Sequence, residues 1–495
     1  MGIQSESAIE TSCHLWLLPA AAMLLSAVFL FRRNLDRKSR SDHRSPLPAG
    51  SMGWPLIGET FQFVSCAYTD HPESFIDKRR RLYGDLFRSH IFGNPTIVST
   101  DAEVSKFVLQ SDSEAFVPYI PRSLREMMGE SSILLINGGL QRRVHKLTAS
   151  FLKSPFLRSK ITRDMQQQLH QSMENWNEDQ PVYIQDQARC VSFQALVKAL
   201  IGLDPGEEME FLKRQYRVFI SGLASLPVKL PGSRLPRSLR AKKMMVELVQ
   251  EIVRARRRRR TVSDSVANPG DLLDVLLAED AIPGMGDDLI AGNLIDFMIP
   301  GEDSVPGLIA LAVKYLSDCP AALRQLRAEN MELKRRKDRL SEPLVFADFL
   351  LLRFTQNVIT ETLRLGNVVG GVLRTAMRDT EIKGYLIPKG WCVFLCFRSV
   401  HLDGNLYDRP RSFDPWRWEG KESSGWSCNF SPFGGGRRLC PGMDLARLEA
   451  SIFLHHLVSR FRWVAEMDSV IHFPIVRMKR SMPIWVKRSG DMSSP

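Results

Sequence analysis

One stretch of the chain is apolar without interruption. Leu15 to Phe31 (LWLLPAAAMLLSAVFLF) contains no charge, and its length falls within the ~17–25 residues that span a bilayer as a helix. Glu6 and Glu10 precede it, while Arg32, Arg33, Arg37, Lys38 and Arg40 follow. The positive-inside rule then leaves residues 1–14 lumenal and everything after Arg32 cytosolic. A cleaved signal peptide carries its basic residues before the apolar run; here they come after, so an uncleaved single-pass anchor is expected. Residues 32–58 form a basic, proline-rich connector, in which Pro46, Pro48 and Pro55 fix φ and resist helix. Residues 59–495 are expected to form one large domain.

Within that domain the spacing of apolar positions is mostly helical. TIVSTDAEVSKFVLQ (Thr96–Gln110) reads as a strand end followed by a helix with Asp101 at its cap. Leu140–Phe151, Ser159–Trp176 and Leu239–Arg258 carry the helical period. The charge run RARRRRR at Arg254–Arg260 reads as a solvated loop. From Asp288 an apolar helix is predicted to run to about Leu316, and helices dominate through Arg364. Val372 to Phe397 alternates instead and contains GYLIPKGW (Gly384–Trp391), predicted to be a turn between two short strands. Cys428 to Gly442 has no period, and Asp444–Phe461 is helical again. The fold class is therefore mainly α with a small β-rich portion.

Composition narrows the function classes. The chain of 495 residues is 44% hydrophobic and 25% charged, an ordinary globular balance. Its net charge of +12 suits nucleic acid, an anionic membrane surface or an acidic protein partner. No zinc-finger, homeodomain or RNA-recognition pattern is present, which argues against nucleic acid. The eight cysteines are scattered without disulfide spacing, as in a reducing compartment.

Chemistry concentrates near the C-terminus. FSPFGGGRRLCPG (Phe430–Gly442) puts three glycines, two arginines and a cysteine side by side before a helix. A lone cysteine in such a loop is ordinarily a buried thiol. A thiolate held in a loop of inward-pointing N–H groups can instead ligate haem iron and favour O–O cleavage. Glycines let backbone approach a porphyrin, and a neighbouring arginine can pair with a propionate. Phe433, Gly436, Arg438, Cys440 and Gly442 have the spacing that meets these demands.

This pattern resembles the haem-binding signature of the cytochrome P450 superfamily, the haem-thiolate monooxygenases. The resemblance implies haem b ligated axially by Cys440. It also implies that two upstream motifs should be present, and both are. Glu361-Thr-Leu-Arg364 would otherwise be an ordinary surface i,i+3 pair, and Phe413-Asp-Pro415-Trp-Arg417-Trp418 looks like the family's meander. Glu361, Arg364 and Arg417 are then expected to form a buried structural network.

In the long helix, PGEDS (Pro300–Ser304) matches the family's proton-delivery motif at Gly301, Asp303 and Ser304. It departs at Pro300 and in having serine for threonine, which keeps the hydroxyl. Pro306 is expected to free the carbonyl of Glu302. The family's Trp-x-x-x-Arg propionate contact is replaced by Gln141-Arg-Arg-Val-His145, leaving Arg142 or His145 to take the role. Arg374 is expected as a second propionate partner.

Finer resemblance is to the plant branch that makes brassinosteroids, carried by LPAGSMGWPLIGET, ESFIDKRRRLYGDLFRSHIFG and GGGRRLCPGMDLARLE. Within it, IPGEDSVP and SPFGGGRRLCPGMDLARLEASIFLHHL look most like the steroid C-23 hydroxylases. A hydrophobic steroid, a C-22-hydroxylated campestane, is the implied substrate. Segments 116–124, 219–232 and 367–373, apolar with few charges, are expected to line its pocket. A haem-thiolate isomerase or dehydratase would lose the acid–hydroxyl pair at Asp303–Ser304. A membrane-anchored protein that only binds haem or steroid would show no turnover with oxygen and a reductase. No G-x-G-x-x-G follows a strand, so NADPH is expected to act only through a separate membrane reductase. That partner is expected to dock near Arg143, Lys146 and Arg437. The anchor and partner together imply the endoplasmic reticulum membrane.

Overall fold

A computed structural model describes residues 45–489, apart from 55–56, 112–113, 130–131, 223–232, 261–268, 279–285, 422–426 and 474. The expected anchor at 15–31 lies outside the described residues. Among those described, no helix is long and apolar enough to cross a membrane.

The body is mainly helical, with one large apolar core and two smaller ones beneath a sheet. Asp101 caps helix α1 (Ala102–Gln110) as its sequence predicts, accepting from the amides of Glu103 and Val104. Helix α2 (Gly138–Leu152), helix α3 (Ile184–Ile201) and helix α4 (Arg234–Arg260) follow. The arginine run is the end of α4 rather than a loop. Acidic neighbours make the difference: Arg256 pairs with Asp271 and Asp274, and Arg257 with Asp287. Helical backbone persists because neighbouring carboxylates relieve the like-charge repulsion along the run.

The predicted helix from Asp288 to Leu316 is broken twice, into α5 (Asp287–Phe297), α6 (Ile299–Glu302) and α7 (Ser304–Asp318). Proline is the cause, since each removes a backbone donor one turn downstream of an acceptor. Pro306 leaves the Glu302 carbonyl without its intrahelical partner, and Arg189 Nε of α3 supplies a hydrogen bond at 3.1 Å. Beyond the breaks α7 is apolar on every side, Leu308 to Val313 all buried, as befits a helix through the centre of a domain. Helices α8 (Arg353–Gly366) and α9 (Met443–Arg460) pack on it.

The main sheet has five strands, β1 (Leu86–Ile91), β2 (Asn94–Ser99), β3 (Phe116–Pro118), β4 (Val372–Ala376) and β5 (Cys392–Leu395), in the order β1-β2-β5-β4-β3. Only the β2–β5 pairing is parallel. GYLIPKGW is not simply a turn, because Tyr385–Ile387 within it is a strand paired with Thr380–Ile382. Lys383 and Gly384, both at positive φ, make the tight hairpin between them. The end of the connector is fastened to this region: the Ala49 carbonyl accepts from Arg88 N, and the Pro46 carbonyl from Leu386 N.

A buried charge network ties α8 to the loops beyond the sheet. Glu361 and Arg364 have no exposed side-chain surface and form a fork of two hydrogen bonds, 2.7 and 2.9 Å. Arg417 Nε, Trp418 Nε1 and the Asp414 amide donate to the same carboxylate at 2.9–3.0 Å. Arg364 in turn donates to the carbonyls of His401, Pro410 and Ser412. Removing one member strands the rest. Glu361→Ala should therefore destabilise by about 3–5 kcal/mol, whereas Asp318→Ala, which breaks an exposed pair with Lys314, should cost at most about 1 kcal/mol. Urea midpoints for the two variants check this, and equal midpoints would show the network to be dispensable.

Candidate functional site: a cysteine loop facing a broken helix

The loop from Phe430 to Gly442 is held by its own backbone. Cys440 N–H donates to the Phe433 carbonyl at 3.1 Å, Gly434 N–H to Ser431 and Leu439 N–H to Gly436. Burial pushes the Cys440 thiol up, while the Gly442 amide, aimed at the sulfur, pulls it down. Gly436 sits at φ +63°, and a Cβ there would fall 1.9 Å from the Leu109 carbonyl. Its glycine therefore serves close packing on α1, not approach to a ligand. Gly434 differs: at φ +72° it lines the cavity, and a Cβ would meet nothing within 4 Å.

That cavity, of about 530 Å³, has Cys440, Phe433, Arg438 and Gly442 on one wall and Gly301 and Ser304 opposite. Pro118, Tyr119 and Ile120 line it, as do Val368, Val369, Val372 and Leu373, so segments 116–124 and 367–373 are where the sequence puts them. Most of the third expected segment, 223–232, lies outside the described residues.

Asp303 does not line the cavity although Ser304 beside it does. Burial raises the Asp303 carboxyl, with Arg189 and Arg477 opposing. Its neighbour Glu302, paired with Arg189 at 3.2 Å, is pushed up to about 7, first by burial and then by Asp303 against the pull of Arg189. Ser304 thus reaches the cavity, while Glu302 is engaged by Arg189 of α3 and Asp303 stands outside the cavity lining.

Two guanidinium groups mark one edge. Among the described residues neither Arg374 nor Arg438 meets a carboxylate; Arg374 donates only to the Leu373 carbonyl, and Arg438 to Ile133, Ile136 and Asn137. Burial, then Arg438, lowers Arg374 to about 10. Arg142 and Arg437 join them around a small side pocket. His145 lines the larger cavity but not the side pocket, with Nε2 donating to the Leu439 carbonyl at 2.8 Å beside the cysteine. Gln141, at the start of that stretch but given no role from the sequence, lines both pockets. An apolar cavity with a sulfur in its lining and a pair of half-buried cations lacking counter-charges among the described residues is a setting that haem fits. Cys440 would hold its iron, and Arg374 and Arg438 its carboxylates.

Residues 48–481 match the family Cytochrome P450. The chain is a cytochrome P450. It is 59% identical to Cytochrome P450 90D2 of Oryza sativa subsp. japonica over 446 residues, 90% of either chain. To 3-epi-6-deoxocathasterone 23-monooxygenase CYP90D1 of Arabidopsis thaliana it is 58% identical over 449 residues, again 90% of each. Among solved structures, a retinoic-acid-bound cyanobacterial P450 superposes with a TM-score of 0.79 at 25% identity, covering 90% of this chain and 100% of that one. The protein is accordingly a haem-thiolate monooxygenase that draws electrons from a reductase.

In this P450 the cysteine loop is linked to the buried charge network through residues the sequence did not single out. Ser431 N–H donates to His401 Nε2 at 2.9 Å, and His401 Nδ1–H to Asn367 Oδ1 at 2.7 Å. Asn367 donates to the Arg364 carbonyl, and Arg364 to that of His401, closing a ring. Nε2 must accept, so the imidazole must be neutral; burial, then Arg364 and Arg398, lowers it to about 3. The unfolded imidazole takes a proton below about 6.5 while the folded one refuses it. Stability is thus complete above that pH and falls as pH drops toward 3. Urea midpoints between pH 7.5 and 4.5 should decline, and less steeply in His401→Gln; an unchanged slope would remove His401 from the acid response.

Proposed function

We propose that this P450 hydroxylates the side chain of a steroid at C-23, acting on C-22-hydroxylated campestane-type brassinosteroid precursors. The observation that carries the reading is 58% identity across 90% of the chain to the Arabidopsis 23-monooxygenase. An apolar cavity bounded by rigid elements supports it, since a fused-ring ligand needs shape rather than charge.

Bound haem supplies the iron at which oxygen is activated with electrons that originate in NADPH. The chain's own residues do the rest. Cys440 would hold that iron as a thiolate and lend it electron density, with the Gly442 amide tempering the sulfur. Arg374 and Arg438 would take the propionates, with Arg142 at the side pocket they share. His145 holds the loop at Leu439 and lines the larger cavity. Ser304 passes protons inward, and Asp303 and Glu302 replenish it from the α3 side, where Arg189 sets their charge. Gly301 keeps that helix close to α3: a Cβ there would meet Leu196 at 2.9 Å.

The partner is a membrane NADPH reductase. Arg143 and Lys146 on α2 and Arg437 on the cysteine loop are exposed and basic, suited to an acidic docking face. Residues 15–31 would anchor the protein in the endoplasmic reticulum membrane, with the domain from 59 to 495 in the cytosol.

Three measurements test the reading. Cys440→Ala should abolish the red-shifted Soret band of the reduced, carbon-monoxide-bound protein, while Cys392→Ala and Cys396→Ala keep it; a retained band in the first variant would refute the ligand assignment. With reductase and a C-22-hydroxylated campestane, mass spectrometry should find a 23-hydroxylated product. Ser304→Ala should lower product per NADPH consumed and raise hydrogen peroxide, and an unchanged ratio would place the relay on another hydroxyl.

A further inference from the structure

Just before α2 the chain makes a single turn, a short strap from Ser132 to Asn137. Within it Leu135 N–H and Ile136 N–H both donate to the Ser132 carbonyl, at 2.8 and 2.9 Å. Ile133 and Leu134, carried on this strap, line the cavity. One isolated turn does not hold its own shape in water, so the strap takes its position from its neighbours. Asn293 of α5 is the first pin. Its Oδ1 accepts from Ile133 N–H at 2.6 Å, and its Nδ2 donates to the Leu289 carbonyl at 2.8 Å. Arg438 of the cysteine loop is the second. Its Nη2 donates to the Ile136 carbonyl at 2.5 Å and to Asn137 Oδ1 at 2.8 Å, and its Nη1 reaches the Ile133 carbonyl at 3.4 Å. Ile133 is thus gripped by its N–H from α5 and by its C=O from the cysteine loop.

Arg438 has donors to spare. A guanidinium carries five N–H groups; the strap takes three, which leaves Nε–H and one hydrogen of Nη1. The same residue lines both the cavity and the side pocket that it shares with Arg374. A haem carboxylate on the remaining donors would close the guanidinium between two sets of acceptors. Such a bond is charge-assisted, roughly twice as strong as a neutral one, so the anion governs how firmly the arginine is held. The strap hangs from whatever orientation results.

We propose that Arg438 couples the cofactor to the substrate wall: a haem carboxylate fixes the guanidinium, the guanidinium fixes the strap, and the strap sets where Ile133 and Leu134 meet the steroid. Asn293 and Asn137 are positioning residues, one at each pin. Coupling between two binding events is reciprocal, so a loosened strap weakens the hold on haem as well as on steroid. The inference rests on the haem and steroid readings above, and the separate measurements below distinguish their failures.

Three readouts on the haem-loaded full chain test this: amide hydrogen exchange at Leu135 and Ile136, haem transfer to apomyoglobin, and steroid dissociation constants from Soret shifts with a C-22-hydroxylated campestane. Asn293→Ala and Asn137→Ala should each speed exchange at the strap. Each should weaken steroid binding roughly three- to tenfold, the worth of about one hydrogen bond, and speed haem transfer severalfold. A purely local role would leave haem transfer unmoved. Asn293 is buried and its loss could disturb folding, whereas Asn137 is exposed, so the second variant keeps the test open. Asn137→Asp retains the acceptor for Arg438 and should match the parent in all three readouts. Faster exchange with unchanged haem transfer in both alanine variants would overturn the coupling. So would fast haem transfer that persists in Asn137→Asp, since that is general loosening. No Soret shift with any steroid in the parent would overturn the steroid reading, while exchange and haem transfer still judge the link from Arg438 to the strap.

Discussion

The carboxylate of Glu361 is the constraint from which the rest of the site follows. It is fully buried and accepts from Arg364, Arg417, Trp418 and the Asp414 backbone. Removing an ion from water costs several kcal/mol, and mutual attraction offsets this only where every remaining lone pair is used. Here every donor comes from a different direction, so the carboxylate can be satisfied in one arrangement of the chain only. Arg364 hands this order on to three carbonyls, one of them at His401, and His401 passes it to Ser431. The cysteine lies nine residues further along the same loop. A haem ligand must hold its place through changes of charge at the metal, and a loop suspended only on its own turns would not.

The opposite wall obeys the reverse logic. A proline inside a helix costs about 3 kcal/mol or more, and the central helix has two, Pro300 and Pro306, bracketing Gly301–Ser304. The break is local because the liberated Glu302 carbonyl finds Arg189. That guanidinium already faces the Glu302 carboxylate, so one side chain mends the backbone and sets the charge of the acid. Widened backbone, hydroxyl and acids are thus created together by the same irregularity.

What was legible in the sequence was whatever depends on fixed spacing. The cysteine loop, the Glu361–Arg364 step and the meander arginine are short motifs whose partners sit at set offsets, and the structure brings Glu361, Arg364 and Arg417 together. Asp101 as a cap and Pro306 as a breaker are equally local. Contacts between distant segments were not legible. His401 and Asn367 are separated by 34 residues and no motif pairs them; a polar residue at a helix end beside an otherwise apolar run was the only available signal. The arginine run looked like a loop because its acidic partners, Asp271, Asp274 and Asp287, come from other elements. Which side of α6 Asp303 would face depended on the breaks in the helix, and periodicity assumes there are none.

The charges left over are as informative as those that are paired. Interiors ordinarily satisfy their polar groups, and this one does so thoroughly around Glu361. Yet among the described residues Arg374 and Arg438 lack counter-ions at one edge of the cavity. Each deficit costs free energy in the chain alone, so each is tolerable only where something else is bound for most of the protein's life. Their sign says what the guest is: paired cations select a dianionic group that stays bound through every turnover.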